Sequence, residues 1–184
     1  MQRQTYLTMV RDLAGQVEEV FPWDLVDEIE GGVTPLLLDI RCPHEFAAAH
    51  IAGSINVPRG VLEIAADYGY EETETELVVA RNRRVIVICR SGNRSVLAAH
   101  TLGLLGFGDV ASLKTGLRGW NDFEQPLLDA DGTVLDPDRV DILFTARVSA
   151  EQSGPPQRLR PRHRDLVAGG TARRAGAAGP AALD

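Results

Sequence analysis

Lysine is nearly missing from this 184-residue chain: Lys114 stands alone against 18 arginines. That bias reads as coding composition and carries no functional signal. Cysteine is scarce too. Two thiols, Cys42 and Cys89, are too few for a disulfide scaffold. No run of 18 apolar residues occurs, so no membrane-spanning helix is expected. The opening stretch, MQRQTYLTMVRDLAGQVEEV, scatters its charges and lacks the apolar block of a secretory signal. A cytoplasmic location is the resulting expectation. No internal repeat is visible.

What is present suits a single globular domain with a tail. Hydrophobic residues make up 44% of the chain, enough to bury a core. The net charge of −7 hides an asymmetry. Residues 151–184 hold six arginines against Glu151, Asp165 and Asp184, so the preceding 150 residues carry about ten surplus negative charges. Such an acidic body is a poor non-specific binder of nucleic acid. An anionic substrate would need a local basic site.

Periodicity predicts an alternation of strands and helices. Helices are expected over 3–14, 21–32, 43–50 and 92–105, and another after the acidic loop DYGYEETETE, running through Arg81. Short strands are expected at VEEV, PLLLDI, SINVP, RVIVIC and DVASL. PLLLDI and RVIVIC lack polar alternation, which suits strands covered on both faces. Residues 116–128, with Gly116, Gly119 and Trp120, read as a loop and a short helix. The pattern indicates an α/β fold on a parallel sheet. Residues 151–184 are rich in Arg, Ala, Gly and Pro, cannot bury enough surface to offset ordering entropy, and are expected to be disordered.

The stretch VIVICRSGNRSVLAAH concentrates the chemistry. A strand that turns sharply into a helix aims backbone N–H groups, and the helix dipole, at the loop centre. Cys89 stands at the strand end, followed by Arg90, Ser91, Gly92, Asn93, Arg94 and Ser95. Amides and arginines around a thiol lower the cost of ionising it, and the thiolate is the nucleophile. Two readings fit: an activated nucleophile in an anion-binding cup, or a buried apolar cysteine beside surface arginines. Loop size narrows the chemistry. A tyrosine-phosphatase loop has five residues between Cys and Arg; four intervene here. The tighter cup suits a sulfur attached to Cys89 better than a tetrahedral phosphate or arsenate.

The CRSGNRS loop resembles the active-site loop of the rhodanese-like sulfurtransferases. LLLDIRCPHEFAAAHIAGSINVP, at 36–58, resembles the block that family carries upstream, and VASLKTGLRGWNDFEQPL, at 111–128, resembles its closing block. The chain departs from the family pattern with Cys42 where an acidic residue is usual, with Ala49 before His50-Ile51 where glycine is common, and with a long stretch between Gly60 and Arg84. The resemblance implies an α/β rhodanese-like three-layer fold, a central parallel sheet with helices on both faces. It implies residues 1–16 as an N-terminal helical extension, 17–150 as the rhodanese-like domain and 151–184 as a tail. It also implies transfer of a sulfane sulfur from thiosulfate or a related donor, through a Cys89 persulfide, to a thiol, cyanide or protein acceptor. No cofactor is called for.

Supporting roles follow with plainer alternatives. By resemblance, Asp39 hydrogen-bonds the loop architecture and Arg41 pairs with carboxylates such as Glu45. Arg59 and Arg118 are candidates for the mouth of the site or ordinary solvated loop residues. Cys42 is a candidate resolving thiol or a bystander; with His44 its spacing is too cramped for a metal site. His50, His100 and Trp120 read as packing residues. Two other classes remain open: a cysteine phosphatase or arsenate reductase on a similar loop, and a non-catalytic partner-binding or persulfide-sensing module.

Overall fold

The computed structural model describes residues 4–154. Five strands form one parallel sheet: β1 (Glu18–Val20), β2 (Leu36–Asp39), β3 (Ile55–Asn56), β4 (Arg84–Ile88) and β5 (Asp109–Leu113), in the order β1-β5-β4-β2-β3. The helices are α1 (Tyr6–Ala14), α2 (Pro22–Glu30), α3 (Pro43–Ala48), α4 (Leu62–Ala65), α5 (Thr75–Val78), α6 (Asn93–Leu104), α7 (Gly116–Asp122) and α8 (Pro137–Phe144). Short 3-10 turns occupy Arg59–Val61 and Val79–Asn82.

The central strand explains the layering. Residues 85–88 of β4 are all fully buried, because successive side chains point to opposite faces and both faces are covered. Val85 and Val87 join a core with Ala98, Ala99 and Leu102 of α6 and Leu62 of α4. Ile86 and Ile88 join a second core with Leu25 of α2, Leu117 and Trp120 of α7, and Phe144 of α8. This is the expected α/β three-layer arrangement. Each fully buried Leu or Ile contributes roughly 1.5–3 kcal/mol by leaving water.

The predicted strands are all present, with ends trimmed by a residue or two. The helix after the acidic loop is shorter than expected; α5 gives way to a 3-10 turn at Val79. α4 and α8 were not anticipated. Yet α8 carries its start signal in the sequence: Asp136 caps it by accepting from the Arg139 N–H at 3.1 Å, and Pro137 follows. At the amino end of the sheet, Arg84 binds Glu18, Glu28 and Asp109 at 2.7–2.8 Å, and the three carboxylates raise its pKa.

α1 packs along α6, so the helical extension lies on the layer that covers the sheet. Among the described residues the compact body runs to Thr145 and a second unit begins at Ala146. Within that unit the described residues form a turn in which the Gln152 N–H donates to the Ser149 carbonyl at 3.1 Å. The expectation of disorder across 151–184 falls mostly on residues 155–184, which lie outside the described part.

Candidate active site

All strands of a parallel sheet end on one edge, and there the loops after β4, β2 and β5 meet. β4 stops at Ile88, and Cys89 follows, 1% exposed. The chain then turns through Gly92, at φ +87°, into α6. This left-handed backbone favours glycine, and a Cβ there would sit 2.9 Å from the Thr115 nitrogen.

The loop's orientation is set by α7. The N–H groups of Leu117 and Arg118 donate to the carbonyls of Cys89 and Arg90, at 3.0 and 3.1 Å. With those carbonyls tied back, the peptide planes turn their N–H edges the other way. Among the described residues, none of the N–H groups of residues 90–95 donates to a protein acceptor. Gly116 makes this approach possible. A Cβ at Gly116 would lie 2.3 Å from the Cys89 carbonyl oxygen. The loop therefore unites a thiol, unspent amides and the first turn of a 12-residue helix.

A linked pair of buried hydroxyls adjoins the sulfur through Ser95. Ser95 Oγ lies 3.4 Å from Cys89 Sγ and donates to the Gly92 carbonyl at 2.7 Å. Ser112, from β5, donates to Ser95 Oγ at 2.8 Å. Both serines are fully buried. Ser95 was a candidate from the loop motif. Ser112 was not singled out, although a polar residue on the core side of DVASL was a visible signal.

Arg94 and Glu45 form a two-pronged ion pair, with Nη1 to Oε2 at 3.2 Å and Nη2 to Oε1 at 3.1 Å. Burial opposes both charges, but the pairing wins. Glu45 is held below the usual carboxylate range and Arg94 is raised, with Cys89 and Tyr6 adding to the latter. This corrects the expected partner of Glu45. Arg41 instead binds Asp39, with Nη2 to Oδ2 at 2.7 Å and Nε to both carboxylate oxygens at 3.0 Å. Two residues apart at the end of β2, the partners are close by construction, whereas Glu45 on α3 faces Arg94. Arg41 also donates to the Ala49 carbonyl at 2.6 Å, and both members of the pair are 1% exposed at the side chain. Asn56 donates to the carbonyls of Asp39 and Arg41, at 2.9 Å each, and holds β2 and β3 together at this edge.

The remaining candidates separate. Arg90 is half-buried and lines a cavity of about 330 Å³ with His44, Glu45, Leu143 and Phe144. Ser91 and Arg118 are exposed, and Asn93 is half-buried. Arg59 is spent on Glu63 at 2.7 Å and Thr101 at 3.1 Å, and Thr101 lies two turns along α6 from the loop. Cys42 is an exposed free thiol at the start of α3, where its N–H donates to Glu45 Oε2 at 3.3 Å. His50 stacks on Phe46 and bonds its carbonyl at 3.1 Å, a packing role. Trp120 is buried and donates to the Pro126 carbonyl.

Tyr6 was not foreseen at this end of the molecule. Burial, and then the charge at Cys89, raise its phenol pKa, while Arg94 lowers it. α1 therefore begins near the loop. Position in the chain gave no hint, because the packing of α1 along α6 brings it there.

The chain is similar to several known proteins. The chain is 34% identical over 84 residues to a putative sulfur carrier protein, YrkF, of Bacillus subtilis, spanning 46% of this chain and only 40% of that relative's length. It is 34% identical over 86 residues to thiosulfate sulfurtransferase 16, chloroplastic, of Arabidopsis thaliana, covering 45% of this chain and 71% of that protein. A solved structure from Rhodopseudomonas palustris, of unknown function and described as a possible tyrosine phosphatase, is 25% identical with a TM-score of 0.62. That match covers 69% of this chain and 96% of the other. The rhodanese-like domain matches residues 22–123, which hold the cysteine loop, the Asp39–Arg41 pair and the Gly116 turn, and the chain belongs to that family.

Proposed function

We propose that the protein is a sulfurtransferase of the thiosulfate type, working through a persulfide on Cys89. The observation that carries this reading is the loop itself: the carbonyls of Cys89 and Arg90 are bound by α7, and among the described residues the N–H groups of residues 90–95 have no protein acceptor. The Cys89 thiolate attacks the outer sulfur of a donor such as thiosulfate. The S–S bond breaks, and sulfite leaves with the bonding electron pair. The outer sulfur of the new persulfide rests among the N–H groups of residues 90–95. An acceptor thiolate, cyanide or a protein thiol then attacks that sulfur and returns Cys89 as thiolate. Arg90 and Arg118 draw in the donor's anionic end. Arg94, steadied by Glu45, keeps positive charge beside the sulfur, and the Asp39–Arg41 pair supports the loop after β2. Sulfur-relay partners fit the likeness to a sulfur carrier protein. Among the described residues no helix is long and apolar enough to cross a membrane, and a cytoplasmic site of action is part of the proposal.

Incubation with thiosulfate followed by mass spectrometry tests it. The expected result is a gain of about 32 Da, one sulfur, on the Cys89 peptide, absent in Cys89→Ser. No adduct from thiosulfate or from a glutathione persulfide donor would overturn the reading.

The likeness to a possible tyrosine phosphatase favours a second reading, phosphoryl transfer on the same loop. The four-residue gap between Cys89 and Arg94 speaks against it. Cys89-dependent hydrolysis of p-nitrophenyl phosphate without sulfur uptake would establish it instead.

A further inference from the structure

Three acceptors compete for two hydroxyl hydrogens beside Cys89. The acceptors are the Gly92 carbonyl, Ser95 Oγ and Cys89 Sγ; the hydrogens belong to Ser95 and Ser112. In the arrangement seen, Ser112 donates to Ser95 at 2.8 Å and Ser95 donates to Gly92 at 2.7 Å. A protonated Cys89, 3.4 Å from Ser95 Oγ, is accommodated by donating its S–H to that oxygen. Every polar group is then satisfied. Ionisation removes the S–H, and a thiolate wants a donor in return. Among the described residues Ser95 is the hydroxyl close enough to turn to sulfur, and turning it takes from the Gly92 carbonyl its shortest bond and leaves the Val96 N–H at 3.3 Å. Ser112 Oγ lies 3.5 Å from that same carbonyl.

We propose that Ser112 is a positioning residue for the nucleophile: it swings to the Gly92 carbonyl as Ser95 turns its hydroxyl to the Cys89 thiolate. No proton passes between the serines. Each hydroxyl rotates, the thiol proton leaves to solvent, and the buried carbonyl keeps a hydroxyl donor beside the Val96 N–H. The cost avoided is the loss of one of that carbonyl's two hydrogen bonds. The inference rests on Cys89 as the nucleophile, and adds a reason that it ionises without costing a neighbour a bond. Ser112 reaches the site from β5, whose register sets it opposite Val87, the last pair between β4 and β5. The charged and titratable groups facing Cys89 are Arg94 on α6 and Tyr6 on α1, with Arg90 in the loop and Glu45 on α3 acting through Arg94. Ser112 touches none of these, so its removal leaves their charges in place.

The test is the pH dependence of iodoacetamide alkylation, read on the Cys89 peptide by mass spectrometry so that exposed Cys42 does not contribute. Ser112→Ala is expected to move the alkylation midpoint up by roughly one pH unit, a tenfold smaller thiolate fraction near neutrality. Ser112→Thr, which keeps the hydroxyl, is expected to restore the wild-type profile. Ser95→Ala should also shift the profile, and adding Ser112→Ala to it should shift it no further, because Ser112 acts only through Ser95. A Ser112→Ala profile that superimposes on wild type overturns the proposal, as do shifts that add in the double variant. Alkylation needs no sulfur donor, so these outcomes are separate from any failure of the protein to take up sulfur.

Discussion

Arg94 and Glu45 face each other through two parallel hydrogen bonds, at 3.1 and 3.2 Å, so the loop's second arginine comes with its charge already partnered. Fork-to-fork pairing fixes direction as well as distance. The pair joins α6 to α3 across the mouth of the loop.

A pH effect follows from that pairing. The carboxyl of Glu45 is lowered below its unfolded value because Arg94 favours the charged form. A depressed carboxyl stabilises the fold fully above its unfolded pKa, about 4.3, and loses that contribution as pH falls through the lower folded value. Glu45→Gln should therefore unfold at lower temperature than wild type at pH 6–7, and the gap should close below about pH 4. Thermal unfolding of both proteins between pH 3 and 7 measures it. A gap that persists unchanged at pH 3 would show that the loss is not ionic.

The Asp39–Arg41 pair predicts a larger effect. Removing one partner of a fully buried pair leaves the other charge uncompensated, at about 3–5 kcal/mol. Asp39→Ala should lower the free energy of unfolding by that amount in a denaturant titration. Replacement costing under 1 kcal/mol would mean that Arg41 finds water or another carboxylate.

Gly116→Ala probes the contact between α7 and the loop. The added methyl would stand 2.3 Å from the Cys89 carbonyl at a backbone φ of +61°. Either α7 retreats or the loop turns. We expect a loss of about 1–3 kcal/mol in stability, and loss of sulfur loading on Cys89 even in the folded fraction. Full loading with normal stability would show that the loop does not depend on this close approach.

The sequence alone determined the sheet and the place of Cys89 at the end of its central strand. β4 was legible because four successive β-branched residues, Val85 to Ile88, without polar alternation suit a strand covered on both sides. α6 was legible from its length and its glycine start. Cys89 stood out because a thiol between a buried strand and a helix N-terminus is placed by local geometry, which neighbours in the chain dictate. α8 was missed although Asp136 and Pro137 announced it; its eight residues are held by Val140 and Phe144 against a core built from distant segments.

Tertiary structure decided which charges and hydroxyls meet. Asp39 is two residues from Arg41 and close to it by construction, but spacing cannot say that Glu45 turns to Arg94 rather than to Arg41. Ser112 lies 23 residues from Cys89 and reaches it through strand register, and Tyr6 arrives through the packing of one helix along another. Such pairings depend on register and helix packing, which the whole core sets at once. The position of Cys89 is a local property of the chain; its hydrogen-bonding and charge environment is a property of the fold.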